Sequence, residues 1–535
     1  MRIDKVYIKE FKNLTDFKID IDKREKHTVL LGQNAAGKSN FLEALVIIFR
    51  DLDLKEESPF NYEIEYQCKD NLLKVVGGPG TKGKFQFYHG VQKSLAEIAY
   101  DKKPISKKKI EQNRDEYLPK YVFSYYSGIS NRLLEHFDRH QNKFYKDLLD
   151  GIDEPFRPLF YARHIHSYFV LLAFYGFNDN KINTFLKEYL NIVGLESVLF
   201  VMKKPNWRGN KKEGDSRFWY AKGVVKDFLT ELWDASIGPI YHKEKIREDF
   251  NKHPEQEELY LYISNQEKLE KIAKKYRRNT EFFKKLESTY MSDLIQEVRV
   301  KVKKQHVDGN ITFKELSEGE QQLLTVIGLL RFTKAEESLI LLDEPDTHLN
   351  PLWKWKYMNL LHDYTDKDES SQIIMTTHDP LVIGGLSKEE IRVFYSKSEI
   401  SEDGKEKQTI KTMEPYFDPK GLGVAGILTS EFFNLPTSMD EESFKDLTRK
   451  RELEVLNRDS ELSPETEAEL QVLTNKLSRI GFDKTQRDPL YDKFIHAVYQ
   501  NPDLKRPSNN LEERKIQNDK MAVLIKQLMD EEKKP

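Results

Sequence analysis

The chain has 535 residues, with 86 lysines and arginines against 89 aspartates and glutamates, which gives a formal net charge of −3. At roughly 150 residues per domain, this length predicts two to four structural units. The near-zero charge argues against a dedicated polycationic nucleic-acid binder. No apolar run reaches the roughly 18 residues that span a membrane, so we expect none to do so.

Cysteine content and the N-terminus indicate the cellular compartment. The single cysteine, Cys68, excludes an intramolecular disulfide and a cysteine-based zinc cluster. The chain opens directly on a strand-like alternation, which is not typical of a signal peptide. We therefore expect a cytoplasmic protein. Because only 38% of the residues are apolar, we also expect helices that protrude or depend on a partner.

Residues 1–130 predict β structure around one helix. Alternating apolar residues predict strands, and a short apolar strand (HTVLL) runs into Gly32 before a helix whose apolar residues recur at helical spacing. The predicted strands are 5–8, 17–21, 27–31, several within 60–100, and 121–126, and the predicted helix is 38–50.

The rest of the chain divides into three predicted parts. Residues 131–312 carry helical patterns and predict a mainly helical insertion. Residues 313–436 alternate helix and strand, which indicates a largely parallel sheet with helices on both faces. Residues 437–535 predict a helical appendage, in which Ser463 and Pro464 mark a helix start before a leucine stripe. The predicted elements of the third part are helices 319–332 and 351–364 and strands 339–342, 372–376 and 391–396.

The segment after the third strand fits the phosphate-loop pattern G-x-x-x-x-G-K-[ST] at every fixed position. Glycines let backbone N–H groups curl around phosphate oxygens, and the following helix adds its positive end. Lys38 is expected to reach the β- and γ-phosphates, and the Ser39 hydroxyl to bind Mg²⁺. The residues assigned to nucleotide binding are Gly32, Gln33, Asn34, Ala35, Ala36, Gly37, Lys38, Ser39 and Asn40.

A second set of motifs lies between 316 and 380. The apolar strand LILL ends in Asp343, assigned to the metal, and Glu344, assigned as the base that activates water. Upstream, Ser317 and Gly319 precede a helix, where N–H groups form an anion site or Ser317 acts as an ordinary N-cap. Downstream, Asp346 follows the acidic pair. His378 follows the next strand, as a catalytic or a structural histidine.

These motifs, in this order, resemble the ABC-type ATPases that include the SMC, Rad50, RecF and OLD-type proteins. The resemblance implies an α/β ABC-type head, a mixed sheet with flanking helices, that is split by the insertion. It also implies ATP held between two heads of a homodimer or higher homo-oligomer. One head supplies Lys38, Ser39 and Asp343 with Glu344 and His378, and the other closes on the γ-phosphate with Ser317 and Gly319. Asp346 corresponds to the acid of the D-loop in this family.

Three segments resemble one branch, the PtuA ATPases of Septu antiphage systems, which some retrons also carry. They are YVFSYYSG at 121–128, LFYAR at 159–163 and SEGEQ at 317–321. This resemblance implies an ATP-dependent sensor and scaffold that controls a separate HNH endonuclease, PtuB. In a retron, a reverse transcriptase and its RNA–DNA hybrid would hold the complex inactive. Nucleic acid would be bound through the complex.

Two other branches fit less well. The span between Ser39 and Ser317 is too short for the coiled coil of SMC or Rad50. Residues 379–535 hold no Asp-x-Asp pair, so the nuclease of OLD-type proteins lacks its metal site, and we expect no nuclease centre in this chain. A DNA-repair ATPase resembling RecF, or a short SMC-like protein, is the alternative. The presence of Glu344 argues against a binding module without hydrolysis.

Several weaker signals are left open. The glutamine of the family's Q-loop has no assigned position, since Gln67 and Gln86 are candidates by position only. His136 and His140 are interpreted as an ordinary surface pair. A basic run at 271–285, interleaved with aromatics such as Phe282 and Phe283, predicts either a single-strand binding surface or an amphipathic helix with buried aromatics.

Overall fold

The computed structural model describes most of the chain. The predicted boundaries at 131 and 313 lie outside the described residues. The described residues are 1–94, 98–128, 130, 132–152, 157–177, 179–209, 211–245, 249–305, 310–312, 315–332, 337–364, 370–400, 406–459, 462–480, 489–504 and 511–532.

The N-terminal part forms a six-stranded antiparallel sheet in the order β2-β1-β4-β5-β6-β7. The alternation that predicted its strands is real, because buried and half-buried residues alternate along β4. The predicted helix after Gly32 is confirmed as α1. The elements are β1 (Arg2–Phe11), β2 (Leu14–Asp20), β3 (His27–Gly32), α1 (Lys38–Leu54), β4 (Tyr62–Cys68), β5 (Asn71–Gly77), β6 (Phe85–Gln92), β7 (Ile98–Tyr100), α2 (Lys107–Gln112), α3 (Arg114–Tyr117) and β8 (Tyr121–Tyr126).

The insertion combines helices with a five-stranded antiparallel sheet in the order β11-β12-β10-β13-β14. The prediction of a mainly helical insertion missed this sheet. In β13 (IQEVRVKVKK) the valines alternate with charged residues, so the strand resembles a polar surface segment. The elements are α4 (Asp138–Leu149), β9 (Leu159–Tyr161), α5 (Ile165–Phe177), α6 (Asn180–Leu190), β10 (Ile192–Lys203), α7 (Gly223–Ala235), β11 (Ile240–Lys245), β12 (Glu255–Ile263), α8 (Gln266–Ala273), α9 (Asn279–Met291), β13 (Ile295–Lys304) and β14 (Asn310–Thr312).

The third part completes a seven-stranded sheet in the order β18-β17-β3-β16-β15-β8-β9. All neighbours are parallel except β17 and β18, so the prediction of an α/β fold with a largely parallel sheet is confirmed. The elements are α10 (Glu318–Phe332), β15 (Ser338–Asp343), α11 (Pro351–Tyr364), β16 (Gln372–Thr376), α12 (Pro380–Ile383), β17 (Ile391–Ile400), β18 (Glu406–Met413) and α13 (Gly423–Thr429).

The seven-stranded sheet separates two apolar cores. Along β3, Val29 and Leu31 face the core that contains α5, α10 and α11. Leu30, between them, faces the core that contains α1 and the six-stranded sheet. Because β3, β16, β15 and β8 are parallel, the segments that follow them meet at one edge of the sheet, where ligands of open α/β sheets bind.

The last part consists of helices α14 to α17. Ser463 caps α15, accepting a hydrogen bond from the backbone N–H of Thr466, so the predicted helix start is confirmed. Arg449 of α14 pairs with both carboxylate oxygens of Glu469 in α15, at 2.8 and 2.9 Å. None of the helices in the described residues is long and apolar enough to span a membrane. The bounds are α14 (Glu441–Asp459), α15 (Pro464–Arg479), α16 (Pro489–Gln500) and α17 (Leu511–Glu532).

Candidate functional site

The phosphate-type loop lies at the carboxyl end of β3 and leads into α1. Gly32 and Gly37 have φ angles of 146° and 87°, and a Cβ at Gly32 would overlap the backbone carbonyl of Phe394. Only glycine therefore fits there without a shift of the chain. The side-chain amide of Asn13, in the turn between β1 and β2, donates to the carbonyl of Ala35 at 2.7 Å and holds the loop.

Lys38 folds back over this loop. Its Nζ donates to the carbonyls of Gly32 at 2.7 Å and Gln33 at 3.1 Å. Burial lowers the pKa of Lys38 to about 8, against the opposing charges of Glu344 and Asp343. The side chain is thus a buried cation held by carbonyl oxygens, which phosphate oxygens can replace as stronger partners.

Ser39 and Asp343, which were both assigned to Mg²⁺ from the sequence, meet at the carboxyl end of the sheet. Oδ1 of Asp343 accepts hydrogen bonds from Ser39 Oγ at 2.9 Å and Thr376 Oγ1 at 2.7 Å. Oδ2 is buried and has no hydrogen-bond partner within the part of the chain that the structure describes. Burial raises the pKa of Asp343. A buried carboxylate oxygen without a partner, beside a hydroxyl, suits a hard cation such as Mg²⁺.

Glu344 and His378, which the family resemblance assigned to the same head, are in direct contact. The imidazole Nε2 lies 2.9 Å from Oε1 of Glu344, and this hydrogen bond is the largest of the effects that lower the pKa of Glu344. The backbone of Glu344 has a φ of 52°, and its N–H donates to Thr376 Oγ1 at 2.9 Å. Such a conformation costs free energy and is often found at functional sites. It places an ionised carboxylate beside the buried Asp343.

Asp346 lies in the turn after β15 and is buried. Its Oδ2 accepts a hydrogen bond from Thr377 Oγ1 at 2.8 Å, which ties this turn to the segment before His378. Burial raises the pKa of Asp346 to about 6. Asp346 therefore links the turn after β15 to the segment that carries His378.

Ser317 and Gly319 mark the N-terminus of α10. Ser317 and Glu320 form a reciprocal cap, in which each side chain accepts from the other's backbone N–H, at 3.2 and 2.8 Å. The N-cap interpretation of Ser317 is thus confirmed, and its side chain is exposed. Gly319 is buried, and a Cβ there would overlap the carbonyl oxygen of His348. The glycine lets α10 pack closely on the turn after β15.

Arg132 was not predicted from the sequence as a residue of the site. Its Nη2 donates to Asn40 Oδ1 at 2.9 Å and lies 3.3 Å from a carboxylate oxygen of Glu43. Its positive charge contributes to lowering the pKa of Glu344, after the larger effects of His378 and Lys38. The only signal in the sequence was its place shortly after β8. This place points to the site only once β8 is known to pair in parallel with β15, which ends in Asp343.

The segment after β8 also contacts the site through Ser127. Its N–H donates to the carbonyl of Asp343 at 3.2 Å, and its Oγ lies 3.1 Å from Thr347 Oγ1. Gln67 and Gln86, the positional candidates for a Q-loop, lie instead on β4 and β6 in the antiparallel sheet. Their side chains bond locally, to the Lys69 carbonyl and to Tyr88.

A cleft of about 760 Å³ opens beside the phosphate-type loop. The turn between β1 and β2 supplies Lys12 and Asn13, and β17 and β18 supply Tyr395 and Gln408. Residues 431–434 close the cleft on one side. Its volume is in the range of sites for small ligands and cofactors. It can hold a nucleoside-sized group next to the loop.

Two weaker sequence signals prove to be structural. Phe282 and Phe283 are buried in the apolar core that contains α5, α10 and α11, so these two aromatics of the basic run are not available for stacking on bases. The interpretation of His136 and His140 as an ordinary surface pair is wrong. His136 lies 3.0 Å from Glu43 and His140 lies 2.8 Å from Asp53, so both brace α1.

A protein-family model and a known relative match parts of this chain in sequence. The protein-family model described as "AAA domain, putative AbiEii toxin, Type IV TA system" matches residues 28–384. The "Septu protein PtuA" of Bacillus mycoides (strain KBAB4) is 33% identical over 105 residues, which are 20% of this chain and 13% of that protein. The alignment thus spans a small part of the length of that relative.

Solved structures of SMC heads are distant matches. The SMC head domain from Thermotoga maritima has 12% identity and a TM-score of 0.30, covering 78% of this chain and 99% of that one. The Smc head domain with an extended coiled coil from Pyrococcus furiosus, bound to the C-terminal domain of ScpA, has 12% identity and a TM-score of 0.30. It covers 77% and 96% of the two chains.

Proposed function

This chain belongs to the AAA-domain family, whose model spans 28–384, and from that premise we propose that it hydrolyses ATP as the sensor and scaffold subunit of an antiphage defence complex. The observation that carries the ATPase part is the contact between Ser39 and Asp343, with the buried Asp343 Oδ2 beside it. Ser39 and Asp343 would hold Mg²⁺, which neutralises charge on the phosphates when bound.

Each residue of the site has its own role in hydrolysis. Lys38 turns from the loop carbonyls to the β- and γ-phosphates. Glu344 accepts a proton from the attacking water while the water oxygen bonds to the γ-phosphorus and the bond to the bridging oxygen breaks, giving ADP and phosphate. His378 holds the Glu344 carboxylate in place. The cleft beside the loop takes the adenosine end.

A second copy of the chain completes the site in this proposal. Ser317 is exposed at the N-terminus of α10, and its hydrogen bonds in the described residues are with Glu320. A 15-residue helix has a partial positive charge at its start, where the exposed hydroxyl and N–H of Ser317 can turn from the Glu320 carboxylate to an incoming anion. We assign this end of α10 to the γ-phosphate held by the partner copy, and the turn around Asp346 to the face between the copies.

The defence role is supported by the partial similarity to the Septu protein PtuA. In this proposal an HNH endonuclease of the PtuB type cuts the target, and ATP state in this chain controls the nuclease. In a retron setting, reverse transcriptase with its RNA–DNA hybrid would keep the complex inactive. The helical appendage at 437–535 holds 21 acidic and 18 basic residues, and it offers a charged surface for such reversible contacts.

Nucleotide binding is the first test of the proposal. Lys38→Ala removes the buried cation of the loop, so we expect ATP affinity to fall below detection in calorimetry. Lys103→Ala, in an exposed loop, is the matched control and should bind like the wild type. Equal ATP affinity in the Lys38→Ala chain would refute the assignment of the loop.

Partner identification tests the defence role. The tagged chain, expressed with its neighbouring genes, should co-purify with an HNH endonuclease, and ATP should change the endonuclease activity on nucleic acid. Recovery of recombination proteins and no endonuclease would instead favour the RecF-like alternative.

A further inference from the structure

Two histidines and a glutamate meet at the end of the seven-stranded sheet that lies opposite the phosphate loop. His27 begins β3, His362 lies in the last turn of α11, and Glu390 ends the 3₁₀ turn before β17. One ligand atom from each residue lies within 4.8 Å of the other two. Three chain segments far apart in sequence thus bring two imidazoles and a carboxylate together.

Only small side-chain movements would bring the three groups around one cation. The two imidazole rings stack with centroids 4.4 Å apart, and His362 Nε2 is 3.9 Å from Glu390 Oε1. Rotation of an imidazole about its Cβ–Cγ bond meets a low barrier, so a ring nitrogen can turn toward the carboxylate. Glu390 is buried, and its other oxygen accepts from the N–H of Ser387 at 2.9 Å. One ligand oxygen is therefore oriented by its neighbour, as metal-binding carboxylates commonly are.

The chemistry of this donor set selects a class of cation. Imidazole nitrogens favour Zn²⁺ and neighbouring transition metals over Mg²⁺ or Ca²⁺, which prefer oxygen ligands. Two histidines, one glutamate and a water make a four-coordinate zinc site. We propose that His27, His362 and Glu390 bind one Zn²⁺-class divalent cation, at a site separate from the nucleotide site.

Such a cation would join three elements that lead to the nucleotide site. β3 ends at Gly32 of the phosphate loop, and α11 begins directly after the turn that contains Asp346. A metal at the far ends of β3 and α11 fixes their relative position. The role of the cation is therefore structural. We expect it to raise the thermal stability of the chain and to take no part in the chemistry of hydrolysis.

Zinc titration of the full chain tests the site. The chain is first treated with a chelator, then titrated with Zn²⁺ by calorimetry without nucleotide, since ATP binds metals. A parallel titration with Co²⁺ reports tetrahedral coordination through its visible absorption. We expect one saturable site per chain and a higher melting temperature when zinc is bound.

Variants separate this site from other histidines of the chain. His362→Ala should weaken zinc binding at least about tenfold, and Glu390→Gln should also weaken it while it keeps an acceptor for Ser387. His253→Ala, at an exposed histidine elsewhere, is the control and should bind zinc like the wild type. Absence of saturable binding in the wild type would overturn the proposal, as would wild-type affinity in the His362→Ala chain.

Discussion

The imidazole Nε2 of His378 and the Oε1 of Glu344 lie 2.9 Å apart, although the two residues follow different strands. The contact exists because β15 and β16 are parallel neighbours, with Asp343 in register with Thr376. It gives the base assigned in the sequence a defined orientation and a lowered pKa.

Removal of the histidine should move the pH profile of hydrolysis. In His378→Ala the hydrogen bond that lowers the pKa of Glu344 is lost, so this pKa rises and the base is protonated over a wider acidic range. We expect kcat to fall more at mildly acidic pH than at pH about 8, with the acidic limb shifted upward. Steady-state rates across pH measure this. His253→Ala is the control, and an unmoved acidic limb in His378→Ala would contradict the assignment.

Glu344→Gln should separate ATP binding from hydrolysis. The amide cannot accept the proton of the attacking water, so we expect kcat to drop by about 10²–10⁴-fold while ATP still binds. ATP should then accumulate on the protein and hold two copies together, as measured by light scattering with and without nucleotide. A variant that hydrolyses at the wild-type rate would show that Glu344 is not the base.

Asp343→Asn should lose function but not stability. Burial raises the pKa of Asp343, which means that its ionised form destabilises the fold, and this penalty is present above its folded-state pKa. The nucleotide-free variant should therefore melt no lower than the wild type, with a larger advantage at neutral pH than near the usual aspartate pKa of about 4. ATP with Mg²⁺ should raise the melting temperature of the wild type but not that of Asp343→Asn. Melting curves in both conditions measure this, and a retained Mg²⁺-dependent shift would contradict the metal assignment.

Gly319→Ala tests the close packing of α10 on the turn after β15. The added Cβ would overlap the carbonyl oxygen of His348, so we expect a loss of about 1–3 kcal/mol in the free energy of unfolding. Gly385→Ala is the matched control, since nothing lies within 4 Å of its Cβ position. Chemical denaturation compares the two. Equal stability would mean that the helix end can move at little cost.

Local sequence patterns predicted individual strands and helices and the residues near which they begin and end. The phosphate-type loop, the acidic pair after β15 and the histidine after β16 were found because each motif is continuous in sequence. The contact between Ser39 and Asp343 was not itself predicted, although both residues were assigned to Mg²⁺, and it arises because parallel strands end at one edge of the sheet. These parts need only local propensity and one topological rule.

Features that depend on non-local packing were missed. Arg132 gains its meaning from Asn40 and Glu43, which lie on another element. The sheet of the insertion is formed by pairing strands such as β10 and β13 across a long separation. His140 is buried against Asp53, a contact that no spacing in the sequence reveals.

Arg132→Ala tests the residue that the sequence missed. Without the guanidinium, Asn40 and Glu43 lose a partner and the two site carboxylates lose a nearby positive charge, so we expect kcat to fall by roughly 10-fold or more. Arg132→Lys, which lacks the planar fork, should recover only part of the rate. Arg139→Ala, an exposed arginine on α4, is the control in the same ATPase assay. Wild-type kcat in Arg132→Ala would show that its contacts serve stability alone.

A mixed dimer tests most directly whether two copies share each ATP site. Lys38→Ala removes the phosphate-binding cation, and Ser317→Arg blocks the exposed end of α10, so each variant alone should be inactive. Co-expressed with two different tags and purified as the mixed pair, they contain one intact site, and we predict about half of the wild-type ATPase rate. A mixed pair as inactive as either variant, or full activity of Ser317→Arg alone, would contradict the shared site.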